Sequence, residues 1–420
     1  MRGLANKTFL SLRTRNYRVF FLGMLVSATG TWMQSVAQGW LVLELTGSGT
    51  AVGLVTAAQF LPMLLGGVFG GVVADRFEKR RILFVSQSIL AFAAGLLALV
   101  TLTGVVEVWM VFLCALLTGC GTVIDNPTRQ AFVSELVGPD LVANAVALNS
   151  AMFNAARIVG PAMAGGLILV AGTGVCFLYN AFSYLAVLFS LTRMRSEELH
   201  RGKRSAGGKG QVRAGLRYAW ATPELRSTIL LVAVVGTFAL NFTVLTPLLV
   251  EFTFDAGPGT LGVLTSLMGA GSLVGALVAA ARSKPSPTLL IGAAGALGVT
   301  MIGVALSPNI VIGGAMLALT GAATITFLST ANSTLQIASS TEMRGRVMSL
   351  YLLVFLGSTP IGGPIVGGIA EVSNPRLGFV VGGAASLVGA AFAATSLRRG
   401  RRRSAAVDAS EALAGEPAAA

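Results

Sequence analysis

Histidine, cysteine and charge are all scarce in this chain, and each scarcity closes a class of function. The single histidine, His200, sits in a charged loop, so a histidine-based metal site has no ligand set. The three cysteines, Cys114, Cys120 and Cys176, all fall in apolar runs. They are badly placed for a secreted-type disulfide framework, and nothing near them has metal-ligand spacing. Charged residues make up 11% of the 420 residues, against about 25% in an ordinary soluble domain. The chain has no Gly-x-x-x-x-Gly-Lys-Ser/Thr loop for ATP hydrolysis. It also offers no nucleophile pair, paired carboxylates or metal cluster, so no enzyme activity, cofactor or bound metal is expected.

Apolar sequence is abundant. Hydrophobic residues are 54% of the chain, glycines number 52 and the mean hydropathy is +0.78. Nearly all the basic residues cluster in alternate gaps between apolar runs, in Met1–Arg18, Arg76–Arg81, Arg193–Arg226, Arg282–Lys284, Arg344–Arg346 and Arg398–Arg403. Arg157, inside an apolar run, and Arg376, in an otherwise bare gap, break the alternation. Short cytoplasmic loops are enriched in Lys and Arg, so the alternation describes a chain threaded repeatedly through a cell membrane with both termini cytoplasmic. Because the basic residues border apolar runs and do not form one face, the net charge of +13 points to anionic lipid and not to nucleic acid.

A spanning helix needs roughly 20 apolar residues. Twelve segments qualify, at 18–43, 50–74, 82–103, 108–127, 147–170, 174–192, 227–250, 259–281, 288–307, 309–331, 347–370 and 376–396. The first follows a basic segment, but it continues without a convincing cleavage site and reads as a retained span. The expected fold is an all-α polytopic membrane protein of two six-helix bundles, 1–192 and 227–397. A flexible basic linker, 193–226, joins them, and 398–420 is a basic, then disordered, tail.

The halves repeat. Leu148, Gly160, Pro161, Gly165 and Gly166 match Leu350, Gly362, Gly363, Gly367 and Gly368 at constant offset, and Gly53, Thr56 and Gly66 match Gly262, Thr265 and Gly275. Duplicated halves around a central site are a common plan of secondary transporters.

Two local sequences carry a family resemblance. Gly71-Val-Val-Ala-Asp75-Arg76-Phe-Glu-Lys79-Arg80-Arg81, between spans two and three, resembles the cytoplasmic loop signature of the major facilitator superfamily, with Glu78 where the family usually has glycine. Gly71 permits close helix approach, and Asp75 can cap a helix N-terminus or pair with an arginine as a latch. Asn154-Ala-Ala-Arg157-Ile-Val-Gly160-Pro161-Ala-Met-Ala-Gly165-Gly166 in span five resembles the Gly-Pro motif of the superfamily's antiporters. There Pro161 removes a backbone hydrogen bond and the glycines allow close packing. The stretch 126–166, with Arg344-Gly-Arg-Val-Met-Ser349, is similar to enterobactin-exporter-like permeases and related multidrug exporters. That resemblance implies export of a small molecule against a proton gradient, by a chain acting as a monomer in lipid.

Polar residues at helical spacing within a span must face protein or water. Such stripes are Ser27, Thr31, Gln34 and Gln38 in span one; Thr118, Thr122 and Asp125 in span four; Ser150, Asn154 and Arg157 in span five; and Thr237 and Asn241 in span seven. Span ten carries Thr320, Thr324, Thr326 and Thr330. The resemblance places spans one, four, seven and ten around the central cavity. The competing reading of each stripe is a set of interhelical hydrogen bonds. Arg157 is placed near mid-bilayer, where a charge is costly and calls for a partner. Since it keeps its proton, it can hold an anionic substrate group or act on a nearby acid, but it cannot carry the coupling proton. Asp125, Glu44 and Glu251 are the proton-coupling candidates, Asp125 near the cytoplasmic end of span four and the glutamates at the outer ends of spans one and seven.

Export of an amphiphilic drug, siderophore or secondary metabolite by proton antiport is the first functional reading. An importer or facilitator on the same fold is the second. The third is the membrane subunit of an ATP-driven pump, or a lipid scramblase.

Overall fold

The computed structural model of the protein describes residues 8–200, 211–281 and 286–414. Among the described residues there is no strand, and twelve helical segments are long and apolar enough to cross a membrane. In a bilayer every backbone polar group must be satisfied within the segment, and the helix does that. Spans one to six are Arg15–Thr46, Gly49–Arg76, Lys79–Leu102, Val108–Val137, Val142–Ala171 and Thr173–Thr192. Spans seven to twelve are Pro223–Phe238 with Phe242–Phe252, Pro258–Ala280, Pro287–Ala305, Ile310–Ala338, Arg344–Gly357 with Thr359–Val372, and Pro375–Ala414. Helix starts carry local signals. The Ser48, Ser286 and Asn309 side chains accept from the N–H three residues on, and Pro223, Pro258 and Pro287 occupy first turns where no N–H is needed.

The twelve expected spans are all present, with five departures in detail. Span four does not end at 127 but runs on to Val137, which moves Asp125 into the body of the helix. Span seven is broken at 239–241. Span eleven is broken at Ser358, where Pro360 lacks an N–H and starts a new helix in its first turn. The basic linker contains a helix, Gln211–Ala221, although 201–210, its Gly-rich part, lies outside the described residues. The tail expected to be disordered continues span twelve as helix to Ala414, in a stretch rich in Ala and Arg, which favour helix.

Within the first half, spans one and five, one and six, two and four, and three and six pack in pairs; within the second, spans eight and ten, nine and twelve, and seven and twelve do the same. The two halves meet along two seams, span two against span eleven and span five against span eight. These seams are images of each other under the sequence repeat. A Cβ on Gly53 would meet the Gly363 carbonyl oxygen, and a Cβ on its repeat-mate Gly262 would lie 2.6 Å from the oxygen of Pro161, the repeat-mate of Gly363. Likewise Gly367 backs on Gly49, and Gly165, its mate, backs on Pro258. The constant offsets in the sequence are therefore one helix–helix contact built twice.

One face of the molecule carries the loops rich in Arg and Lys; the other carries Glu44, Glu107, Glu251 and Asp255. The seams close the acidic-face half. There the Glu371 carboxylate accepts from Ser48 Oγ (2.7 Å) and from the Thr50 N–H (2.8 Å), so span eleven caps the first turn of span two. Midway down, Ser266 Oγ of span eight donates to the Ile158 carbonyl of span five at 2.8 Å.

Candidate functional site

Span five is a 30-residue helix, and Arg157 stands at its midpoint. Below the seal just described, on the basic-face side, the two halves enclose a cavity of about 380 Å3. It is lined by Trp32, Asn149, Ser150, Phe153, Asn154 and Arg157 from the first half, and by Ala276 and Ile325 from spans eight and ten. The Arg157 guanidinium lies over the Trp32 ring, 5.0 Å from its centroid. Its Nε is buried without a hydrogen-bond partner. Asn154 Nδ2 donates to the Ser150 carbonyl at 2.9 Å. Gly160 allows this approach: a Cβ there would come within 2.7 Å of Trp32 Cβ and 2.8 Å of the Thr29 carbonyl.

Asn154 and Arg157 are thus brought together on the cavity wall. The other stripes make hydrogen bonds inside the bundles. Gln34 Oε1 accepts from Asn180 of span six (2.6 Å), Gln38 Nε2 donates to Gln59 of span two (3.4 Å), and the Thr31 hydroxyl lies 3.2 Å from that of Tyr184. Thr118, Thr122 and Thr237 each donate to a carbonyl one turn back in their own helix. Asn241 is fully buried at the break in span seven, where its Nδ2 donates to the freed Thr237 carbonyl at 2.7 Å. Gly362 of span eleven packs against that same carbonyl, and no Cβ would fit there.

Asp125 does not reach Arg157. It is the only buried carboxylate among the described residues, accepting from Ser86 Oγ (3.0 Å) and Gln87 Nε2 (2.7 Å) and pairing with Arg129 Nε at 3.3 Å. Arg129 in turn lies 4.6 Å above the Phe153 ring, whose residue lines the cavity. Sequence reasoning missed Arg129, Ser86 and Gln87. The signal was available for Arg129: Thr118, Thr122, Asp125 and Arg129 continue one helical stripe, and an acid four residues before a base is a favourable helix pair.

Glu44 accepts from Trp40 Nε1 at 2.6 Å and lies within electrostatic reach of Glu251, both on the acidic face. In the loop signature, Lys79 pairs with Glu135 of span four (2.5 Å), Arg80 Nε donates to the Leu191 carbonyl of span six (2.9 Å), and Arg76 is exposed. These basic residues bind within the first half. The surroundings of Gly71 and the Asp75 side chain lie outside the described residues. In the Gly-Pro motif, Pro161 and Gly165 face span eight, whereas Gly166 faces open space; span five runs unbroken through Pro161.

Comparison with known proteins agrees with this architecture. The family described as transmembrane secretion effector matches residues 6–419. The multidrug efflux pump Tap of Mycolicibacterium fortuitum is 25% identical over 85% of this chain and 89% of its own. The enterobactin exporter EntS of Shigella flexneri is 25% identical over 86% of each chain. The staphyloferrin A transporter of Staphylococcus aureus is 23% identical over 62% of this chain, and the match spans 66% of that transporter's length. Among solved structures, the nucleoside transporter NupG (D323A mutant) superposes with a TM-score of 0.74 at 15% identity, over 91% of this chain and 99% of that one, a likeness of fold.

Proposed function

The chain belongs to the transmembrane secretion effector family of major facilitator transporters, and from that premise we propose that it exports small amphiphilic molecules by proton antiport and alternating access. The observation that carries this reading is the mid-span cavity sealed on the acidic face by two repeat-related glycine seams. Relatives named as a multidrug efflux pump and an enterobactin exporter support the outward direction. The enrichment of the short loops in Lys and Arg supports a cytoplasmic position for their face and for both termini, with the chain held in the plasma membrane. The cavity then lies on the cytoplasmic side of the seal, ready to load substrate from inside. The protein works as a monomer, without a catalytic step, and its partners are substrate, protons and lipid.

Transport follows from rocking the halves about the cavity. Opening the seams exposes the site to the outside, and the short contacts between glycines let this happen without dragging large side chains past each other. Asp125 is the leading proton carrier, because its partner Arg129 stacks on a cavity-lining ring and would be released as the carboxylate takes up a proton. Glu44 and Glu251, within electrostatic reach of each other on the acidic face, are the entry point for external protons. Inside-out vesicles test the reading. Energised by a proton gradient, they should accumulate substrate, and an uncoupler should abolish the accumulation. Energised accumulation into intact cells would overturn it.

A further inference from the structure

Two arginines are held inside the first bundle, each with a buried Nε that makes no hydrogen bond, and only one of them has a carboxylate beside it. Each lies over an aromatic ring, Arg129 over Phe153 and Arg157 over Trp32. Arg129 also has a carboxylate, Asp125. Arg157 forms no ion pair among the described residues, and its buried Nε meets no acceptor. Among the described residues there is no second buried acid to offer it. Asp125 is the only buried carboxylate among the described residues, and Ser86, Gln87 and Arg129 occupy it. Glu44, Glu251 and Glu371 lie on the acidic face, beyond the glycine seal. A guanidinium keeps its proton, and a charge at this depth calls for a counter-charge.

We infer that the substrate supplies it: the cavity takes a small amphiphile bearing one anionic group, a carboxylate, sulfonate or phosphate, with Arg157 as the residue that binds that group. This deepens the proposed function and rests on its reading of the cavity as the substrate path. Asn149 and Ser150 carry donors that can serve the anion, and Trp32 and Phe153 give its apolar body two ring faces. Planar guanidinium and carboxylate or phosphate pair in a bidentate geometry that a neutral or cationic head cannot reproduce. A volume of about 380 Å3 holds a small molecule and excludes a two-chain lipid.

Three dansyl compounds that differ chiefly in charge test this: dansylglycine (anionic), dansylglycinamide (neutral) and dansylcadaverine (cationic). Binding to the purified full chain in phosphatidylcholine nanodiscs is read by energy transfer from Trp32, with Trp32→Phe as the control for the donor. The expected order is dansylglycine tightest, by about tenfold or more over the amide, as a charge-assisted hydrogen bond gives, and dansylcadaverine weakest. Arg157→Gln should erase the preference for the acid and leave amide binding intact, which also reports that the variant is folded; Arg157→Lys should keep part of the preference. The inference is overturned if the amide or the amine binds as tightly as the acid, if the acid does not bind, or if Arg157→Gln retains the preference. It is likewise overturned if phosphatidylglycerol in the discs abolishes dansylglycine binding, which would assign the site to lipid. These are equilibrium measurements, so they stand or fall separately from the direction and energy source of transport.

Discussion

Consider Gly53→Ala. The added methyl would meet the Gly363 carbonyl oxygen well inside van der Waals contact, with the Gly363 carbonyl carbon at 2.7 Å, so the two helices must separate by on the order of an ångström. Both partners are backbone, and neither can rotate away. Overpacking of this kind costs roughly 1–3 kcal/mol. The cost falls only on the conformation in which the acidic face is closed, because opening the seam removes the contact. The equilibrium should therefore move toward the conformation open on the acidic face by roughly fivefold to a hundredfold, at tenfold per 1.4 kcal/mol. Gly262→Ala, the repeat image, places its methyl 2.6 Å from the Pro161 carbonyl oxygen and should act in the same direction. The measurement is the labelling rate of a cysteine introduced at Thr50, in the seam, by an impermeant maleimide added to the acidic face, with the three native cysteines replaced. Both variants should label faster than the parent. Gly271→Ala is the contrast. Its methyl would collide with the Ala318 carbonyl, but spans eight and ten belong to the same bundle and stay packed in every conformation. It should lower the yield of folded protein and leave the labelling rate of what folds unchanged. If Gly53→Ala instead reduces yield like Gly271→Ala and labels at the parental rate, the seams are not the moving contact.

Two further expectations follow from the same geometry. Glu371→Gln replaces the carboxylate that caps span two with a neutral amide, and Ser48→Ala removes one of its donors; each should speed labelling at residue 50 a few-fold, less than Gly53→Ala, and parental rates in both would remove the latch from the seal. Asp125→Asn leaves Arg129, whose side chain is 14% exposed, without its carboxylate, and breaking such a pair by removing one partner costs about 3–5 kcal/mol. Thermal unfolding in nanodiscs should show a large loss for Asp125→Asn and a smaller one for Asp125→Asn with Arg129→Gln; equal losses would mean the two residues act separately.

The topology was legible because it is written in composition: a run of roughly 20 apolar residues has few other destinations, and the placement of Arg and Lys orders the runs. The repeat was legible as glycine offsets, but not its meaning. Which glycine meets which backbone is a matter of two helices that lie far apart in sequence, as Gly53 and Gly363 do. Charge was the misleading signal at the end of span four. Asp125 and Arg129 look like the start of a loop when each is priced alone, and become compatible with a helix interior only as a pair, with Ser86 and Gln87 arriving from span three. The break in span seven has no proline to announce it; it depends on Gly362 fitting against the Thr237 carbonyl from another span.

The polar stripes expose the same limit more sharply. A polar side chain on a spanning helix must be satisfied, and the sequence states that demand without saying what meets it. Gln34 is met by Asn180, Gln38 by Gln59 and Asp125 by Arg129, all from the chain itself or its own helix. Those residues look the same as Arg157 in a list of stripes. What separates them is the remainder after pairing. Among the described residues of the first bundle, buried acids and buried bases do not balance: there is one carboxylate for two arginines, and it pairs with Arg129. The residue left over, aimed at a cavity between the halves, is where an external ligand has something to add. Reading a spanning bundle for function therefore means pairing its buried charges first and looking for the one left without a counter-charge.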